Sequence, residues 1–494
     1  MSESSGMKKV DDAKAGIEFT HDLVIIGAGP AGMSAAVAAA ACGLRAVVLD
    51  EQPRPGGQIY RNVTVAAPTV ANLLGPDYRH GAVLAQRFAA SGVEVHHDTF
   101  VWDMAQDLTV TAQTSGKSFH VRAPQLLMAS GAMERPSPLP GWTLPGVLNA
   151  GAAQIALKTA AQVPQGRVVL VGGGPLLLLV ACQLLQAGTR IAGIVETSPA
   201  SNRARAIRHV LGALGAPALL AKGLRMLWRL RRAGVPIFKE ATDLRIEGVE
   251  GAADTDGNQR VKAVSFTAGG TGYRLEADVA LLHHGVVPNT QASRLLRVDH
   301  VWSDAQLAWQ PQVDVWGQTS LEGFRIAGDG AAIAGALAAE ASGAIAAIGA
   351  ALALGRLDAE RAQQMAAPWR NRLARQTSIR PFLDALYRPP EWLIDCDDDT
   401  VVCRCEEVTA GRVREMARLG CEGPNQTKFF SRCGMGPCQG RMCGITVTQI
   451  LAQALNRPPA QVGAYRIRAP LKPVSLGSLA ALAQTTASPK PSSH

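Results

Sequence analysis

Residues 21–51, HDLVIIGAGPAGMSAAVAAAACGLRAVVLDE, decide the fold. An apolar run, a glycine turn, an alanine-rich stretch and a second apolar run read as strand, turn, helix and strand. Gly27, Gly29 and Gly32 keep the G-x-G-x-x-G spacing. The first makes the turn, the second lets backbone amides approach a pyrophosphate, and the third lets helix and strand pack closely. Asp50 ends the second strand, twenty-three residues after Gly27, where a carboxylate accepts hydrogen bonds from an adenosine ribose. With strand, helix and acid all in place, the stretch points to dinucleotide binding rather than to an ordinary βαβ turn.

Residues 166–196, GRVVLVGGGPLLLLVACQLLQAGTRIAGIVE, repeat the plan about 145 residues later. Gly172 and Gly174 are kept, Leu177 replaces the third glycine, and Glu196 closes the next strand. A leucine there is expected to hold helix from strand and to crowd a pyrophosphate, so this unit binds a nucleotide poorly or not at all. LLMASGAMERPSPLPGW (126–142) and LLHHGVVPNTQ (281–291) each run from an apolar strand into a Gly/Pro turn and read as domain crossings. In residues 323–353 a strand, Gly328-Asp329-Gly330 and a long small-residue helix follow. Asp329 is placed either to bond a sugar or ribityl hydroxyl or simply to cap the helix.

The expected architecture is α/β: tandem Rossmann-like units plus a small α+β cysteine domain. The first unit is divided between 18–160 and 275–355, with the second at 161–274. A helical linker spans 356–398, the cysteine domain 399–455 and a C-terminal tail 456–494. The last residues, TTASPKPSSH, have no apolar periodicity and are expected to be disordered.

Composition agrees with this class: 494 residues, 50 glycines, 47% apolar and only 5% aromatic residues. The formal charge of +9 is mild for this length and does not suggest nucleic-acid binding. Basic residues concentrate between Thr197 and Lys239, which has no acidic residue but holds Arg203, Arg205, Arg208, Lys222, Arg225, Arg229, Arg231 and Arg232. A pair of basic amphipathic helices with a solvated face is the plain reading, and a membrane or partner surface the alternative. The polar start lacks a signal-peptide core and no run of eighteen apolar residues follows, so a cytoplasmic protein without a transmembrane segment is expected.

The order GAGPAG, PGGQ, an A-S-G-A turn, a second G-x-G, a V-x-P-N turn and a late G-D resembles the two-dinucleotide-domain flavoproteins of the glutathione-reductase and thioredoxin-reductase superfamily. More closely, DEQPRPGGQIYR, MASGAMERPSPLPGWTLPGVLNAGAAQ, GGGPLLLLVACQLLQAG, HHGVVPNTQ, CRCEEVT and YRIRAPLKPVSLGSLAAL resemble the large subunit of opine oxidases and of hydroxyproline and proline dehydrogenases and cyanide-forming glycine oxidases. The resemblance implies FAD. Gly27, Gly29 and Gly32 would face its pyrophosphate, and Asp50 or Glu51 its ribose. Gly57 and Gln58 would lie along the flavin, Val101 by the adenine, Ser130 and Gly131 in the A-S-G-A turn, and Gly328 and Asp329 at the ribityl chain. It implies a smaller amino-acid-oxidase-like flavin partner that oxidises the C–N bond, a small-molecule electron acceptor, and allows a further ferredoxin-like subunit. NAD(P) at the second unit stays open, with Leu177 against it. The superfamily's redox Cys-x-x-Cys is missing from the first 395 residues, so electrons need another carrier.

Six of nine cysteines, Cys403, Cys405, Cys421, Cys433, Cys438 and Cys443, fall in residues 403–443. Zinc is one reading, but Cys-x-Cys is a tight fit for one tetrahedral ion. A [2Fe–2S] cluster divides four thiolates between two irons, which suits Cys403-x-Cys405 and Cys438-x4-Cys443. Arg404, Arg432 and Arg441 are placed to offset its negative charge, and a helix from about Ile445 would aim its N-terminus at it. The segment resembles the bacterioferritin-associated-ferredoxin type, whose last pair is Cys-x-x-Cys. The wider pair here leaves Cys433 as rival to Cys438. Three functions follow: an FAD and [2Fe–2S] subunit of a heteromeric amino- or imino-acid dehydrogenase, a stand-alone NAD(P)H reductase, or a non-catalytic redox scaffold. No catalytic residue is assigned, and His283 and His284 read as structural.

Overall fold

The computed structural model describes residues 20–253 and 259–485. Its frame is two five-stranded parallel sheets of matching order. In the first, the glycine-turn strand Leu23–Ile26 lies between Ala46–Leu49 and Gln125–Met128, with Glu94–His96 and Phe324–Ile326 outermost. In the second, Arg167–Gly172 lies between Arg190–Glu196 and Val279–His283, with Ile237–Phe238 and Val147–Asn149 outermost. Each unit also carries a three-stranded antiparallel sheet at the same point of its sequence, Thr99–Arg122 in one and Thr242–Glu276 in the other. The repetition is therefore a whole-unit duplication.

The unit boundaries differ from the expected 160 and 275. Val147–Asn149 and Val279–His283 hydrogen-bond into the second sheet, so the chain crosses at the two Gly/Pro turns themselves. There Ala132–Glu134 pairs antiparallel with Val286–Pro288, making a two-stranded hinge. Pairing partners of short apolar strands are a tertiary matter that periodicity does not disclose.

Leu177 also corrects an expectation. It is buried with Val168, Leu170 and Val180 in the core between helix and sheet, so it packs into that interface and does not project into a pyrophosphate site. The long apolar helix Ala336–Ala353 is, among the described residues, the one helix long and apolar enough to cross a membrane, and 72% of it is buried. It lies against Pro30–Ala41, where a Cβ on Gly343 would stand 2.0 Å from the Ala31 carbonyl. The linker helix Ala359–Thr377, capped by Asp358, covers its other side with Ala362 and Ala366.

The cysteine domain and the stretch after it pack on the first sheet. Val24, Val47 and Leu49 share one core with Cys403, Cys433, Cys443, Val447 and Ile450. Tyr465, Ile467 and Leu471 belong to the same core, so the expected tail is a packed strap at least to Lys472. The expectation of disorder beyond Thr485 falls outside the described residues.

Candidate functional site

Both glycine turns open into one cavity of about 810 Å³. Gly27 is held at φ 101, and a Cβ on Gly32 would stand 1.7 Å from the Gly27 carbonyl. A Cβ on Gly57 would stand 2.9 Å from the Cα of Gly29, so the PGGQ turn and the first glycine turn touch backbone to backbone. This is a cradle without side chains at a helix N-terminus, the surroundings a pyrophosphate needs.

Around it the structure gathers Asp50, Glu51, Gln58, Val101, Ser130, Gly131, Gly328 and Asp329 on the cavity wall. Their hydrogen bonds refine the expected roles. Asp50 accepts from the Ala28 amide with one oxygen and from the Gln52 amide with the other, at 2.7 Å. Burial pushes its carboxyl up while those amides hold it down. Both oxygens thus brace the turn. Glu51 is ion-paired to Lys472 of the C-terminal strap. Asp329 accepts from the amides of Ala334 and Gly335 at 2.8 and 3.0 Å with one oxygen, Oδ1, so it braces the turn ahead of helix Ala336–Ala353, whose N-cap is Gly335 without a side-chain cap bond. Ser130 donates to the Asn289 carbonyl across the hinge.

Sequence reasoning missed Lys158 and Glu134 here and read the pair His283 and His284 as structural. Lys158 donates to the Gln58 carbonyl and to Gln154, and burial pushes it down to about 7. Glu134 accepts from the amide of Gly151 and lies 2.6 Å from Nδ1 of His283, both side chains nearly buried. His284 lies 2.7 Å from Ser137 and is driven down to about 3 by burial, with His283 and Arg135 adding repulsion. None follows a motif spacing.

The second glycine turn keeps its geometry, with Tyr387 packed beside it. Gly172 and Gly174 hold φ 131 and 113. Tyr387, after the short helix Arg380–Leu386, stands where a Cβ on Gly173 would meet it at 3.5 Å, and Asn202 fixes that segment through the Arg388 carbonyl at 2.9 Å. Tyr387 is pushed up to about 12 by burial, with the charge of Glu196 adding to it.

In the cysteine domain the sulfurs of Cys403, Cys433 and Cys443 lie within 4.8 Å of one another, all buried. The Cys433 and Cys443 thiols donate to Cys403 and hold it well down, while Cys443 is pushed up. The other two differ in exposure: Cys405 bonds to the backbone and thiol of Cys438 at the more exposed edge. Among the described residues the buried trio is thus Cys403, Cys433 and Cys443, with the Cys405–Cys438 pair outside it. Helix Gly444–Ala454 starts at this point with Cys443 as its cap residue.

The charges are arranged otherwise than expected. Arg404 stacks over Trp142 at 5.3 Å and Arg432 pairs with Glu406 at 2.8 Å, so neither is free to face the sulfurs. Arg441 donates to the Cys438 and Leu471 carbonyls. Lys428 sits 5.3 Å over the ring of Tyr465. That ring fills the space left by Gly434 and Gly440, where a Cβ would meet it at 2.6 and 2.5 Å, and its hydroxyl faces Cys433 and Cys443. The glycines thus make room for an aromatic lid as well as freeing amides. Arg441, Leu471 and Lys472 also line the large cavity, so the cysteine basin and the glycine cradle share a wall.

Residues 21–351 match the family described as pyridine nucleotide-disulphide oxidoreductase, and 398–483 match the sarcosine oxidase A3 domain. An opine oxidase subunit from Agrobacterium tumefaciens is 44% identical over 476 residues, 94% of this chain and 92% of that one. The chain belongs to the pyridine nucleotide-disulphide oxidoreductase family and, within it, to the group of these opine oxidase chains. Hydrogen cyanide synthase subunit HcnB of Pseudomonas aeruginosa is 33% identical, covering 91% of this chain and 96% of that one. The crystal structure of L-proline dehydrogenase from P. horikoshii has the same fold, with a TM-score of 0.67 at 17% identity over 93% of this chain and 79% of that one. The family fold implies FAD, and the bare contact of Gly29 with Gly57 fits it.

Proposed function

We propose that this chain is the electron-carrying subunit of a heteromeric amino- or imino-acid dehydrogenase of the opine or hydroxyproline/proline type, holding FAD and a [2Fe–2S] cluster. The carrying observation is the shared wall: Arg441, between Cys438 and Cys443, lines the same cavity as Gly29 and Gly57. Flavin supplies a two-electron store and an iron–sulfur cluster passes electrons singly. The chain's own part is to hold the two on either side of that wall. Gly27, Gly29, Gly32 and Gly57 present amides to the pyrophosphate, Glu51 and Val101 border the adenosine end, and Ser130, Gly131, Gly328 and Asp329 the flavin end. Cys403 with Cys405, and Cys438 with Cys443, supply the thiolates, with Cys433 as a buried neighbour. The 44% identical relative is an oxidase subunit, which supports a partner chain, and we assign that partner as a smaller amino-acid-oxidase-like flavin subunit that oxidises the C–N bond.

The test is to purify the chain with its companion, record the visible spectrum, and measure iron in serine variants. Flavin and iron–sulfur absorbance are expected, with iron lost in Cys438→Ser and kept in Cys433→Ser. The reverse pattern reassigns the ligand, and absence of both chromophores sinks the reading. A scaffold would lose assembly in Cys438→Ser, whereas a relay keeps the complex and loses turnover with acceptor dyes.

A further inference from the structure

The segment between the second-unit strands Arg190–Glu196 and Ile237–Phe238 is longer than a crossover needs. It forms helices Ala200–Ile207, Val210–Ala213 and Pro217–Arg232. The last packs inward through Met226 and Leu230, both nearly buried. Its outer surface carries Ala221, Leu224 and Trp228 on one stripe and Lys222, Arg225, Arg229 and Arg232 on the next. Leu224 is 69% exposed and Trp228 56%; Leu211, at 82%, and Leu214, at 60%, are also exposed, in the segment just before this helix. Solvated charge alone does not account for four large apolar side chains standing in water.

The charge beside them is not neutralised. Among the described residues Arg203 pairs with Glu240 and Lys222 with Asp77, while Arg208, Arg225, Arg229 and Arg231 have no ion-pair partner. Arg232 lies over the Trp228 ring at 5.2 Å. From Arg208 to Arg232 there is no Asp, Glu, Asn, Gln, Ser or Thr. A specific protein interface uses directional donors and acceptors around its apolar centre. This surface has long aliphatics, an indole and guanidinium groups, which match an apolar layer beneath a diffuse layer of anionic charge.

We propose that residues 207–232 seat the protein on the surface of an anionic lipid bilayer, with Leu211, Leu214, Leu224 and Trp228 entering the interface and Arg208, Arg225, Arg229 and Arg231 meeting lipid phosphates. The proposal stands apart from the flavin and cluster assignment, which a spectrum tests separately.

The experiment is co-sedimentation of the purified complex with vesicles of phosphatidylglycerol and phosphatidylethanolamine, against phosphatidylcholine alone, at low and high salt. Binding to the anionic vesicles that weakens with salt is expected, with a blue shift of Trp228 emission that Trp228→Phe abolishes. Leu224→Ser with Trp228→Ser, and Arg225→Glu with Arg229→Glu, should each lower partition about tenfold or more. These side chains are exposed, so flavin and iron content and the melting temperature serve as folding controls. Equal binding to both vesicle types, or partition unchanged in either double variant, overturns the proposal. So does a Leu224→Cys complex that resists a water-soluble maleimide without lipid, which would assign the surface to a protein partner.

Discussion

Gly32 has no room for a methyl group: its Cβ would overlap the Gly27 carbonyl. Gly32→Ala must push helix from strand at a cost of about 1–3 kcal/mol, enough to lower retained flavin about tenfold. The ratio of flavin absorbance to protein in the purified complex reads this directly. Tyr465 separates filling space from facing sulfur. Tyr465→Phe keeps the ring between Gly434 and Gly440 and should keep iron, whereas Tyr465→Ala leaves a void costing about 3–5 kcal/mol and should lower both iron content and melting temperature. His284 sets an acid limit. Burial holds its folded pKa near 3, below about 6.5 unfolded, and His300 is similarly held near 4. Between those values the unfolded chain binds more protons, so stability falls as pH drops from about 6.5, by up to about 1.4 kcal/mol per unit for each group. Thermal melts across this range should show that slope, reduced in His284→Asn.

At the scale of elements, the glycine turns were legible because backbone approach demands a residue type at a fixed spacing, and Gly27, Gly29 and Gly32 stand in one local unit. The lid on the cysteines was not. Tyr465 comes twenty-two residues after Cys443, and only the fold makes it fill the glycine hollow. Leu177 looks like an obstruction in the sequence because the motif assigns that position to glycine; its burial shows that the second unit's helix and sheet pack around it. The cap at Tyr387 was equally invisible, coming from a linker helix that no nucleotide motif includes. It yields a prediction: stoichiometric NADH or NADPH should leave the flavin spectrum unchanged, since Leu177 replaces the third glycine and Tyr387 packs beside Gly173 on the cavity wall. Rapid bleaching would show that the tyrosine swings aside. The strap gives another. Leu471 donates its amide to the Trp102 carbonyl at 2.6 Å and Lys472 pairs with Glu51, so a chain ending at Arg468 should keep its iron but release flavin faster on gel filtration.

At the scale of the molecule, the cysteine domain is not an appendage. Cys403, Cys433 and Cys443 share a core with Val47 and Leu49, so these thiols and the first sheet should unfold together. Removing iron with a chelator is expected to lower the melting temperature of the flavin signal as well as the protein signal, in one transition. Two separate transitions would mean the shared core contributes little coupling.

The first sheet also imposes an order on synthesis. Its central strand ends at Ile26, but its outer strand Phe324–Ile326 and the strap that pairs Lys472 with Glu51 are among the later parts of the chain to leave a ribosome. At about 5–20 residues per second, the amino-terminal glycine turn waits tens of seconds for the pieces that close its cavity. The second unit, contiguous from Val147 to His283, can finish meanwhile. Flavin loading is then a late event, and the duplicated second unit is a folded platform against which the first unit is completed.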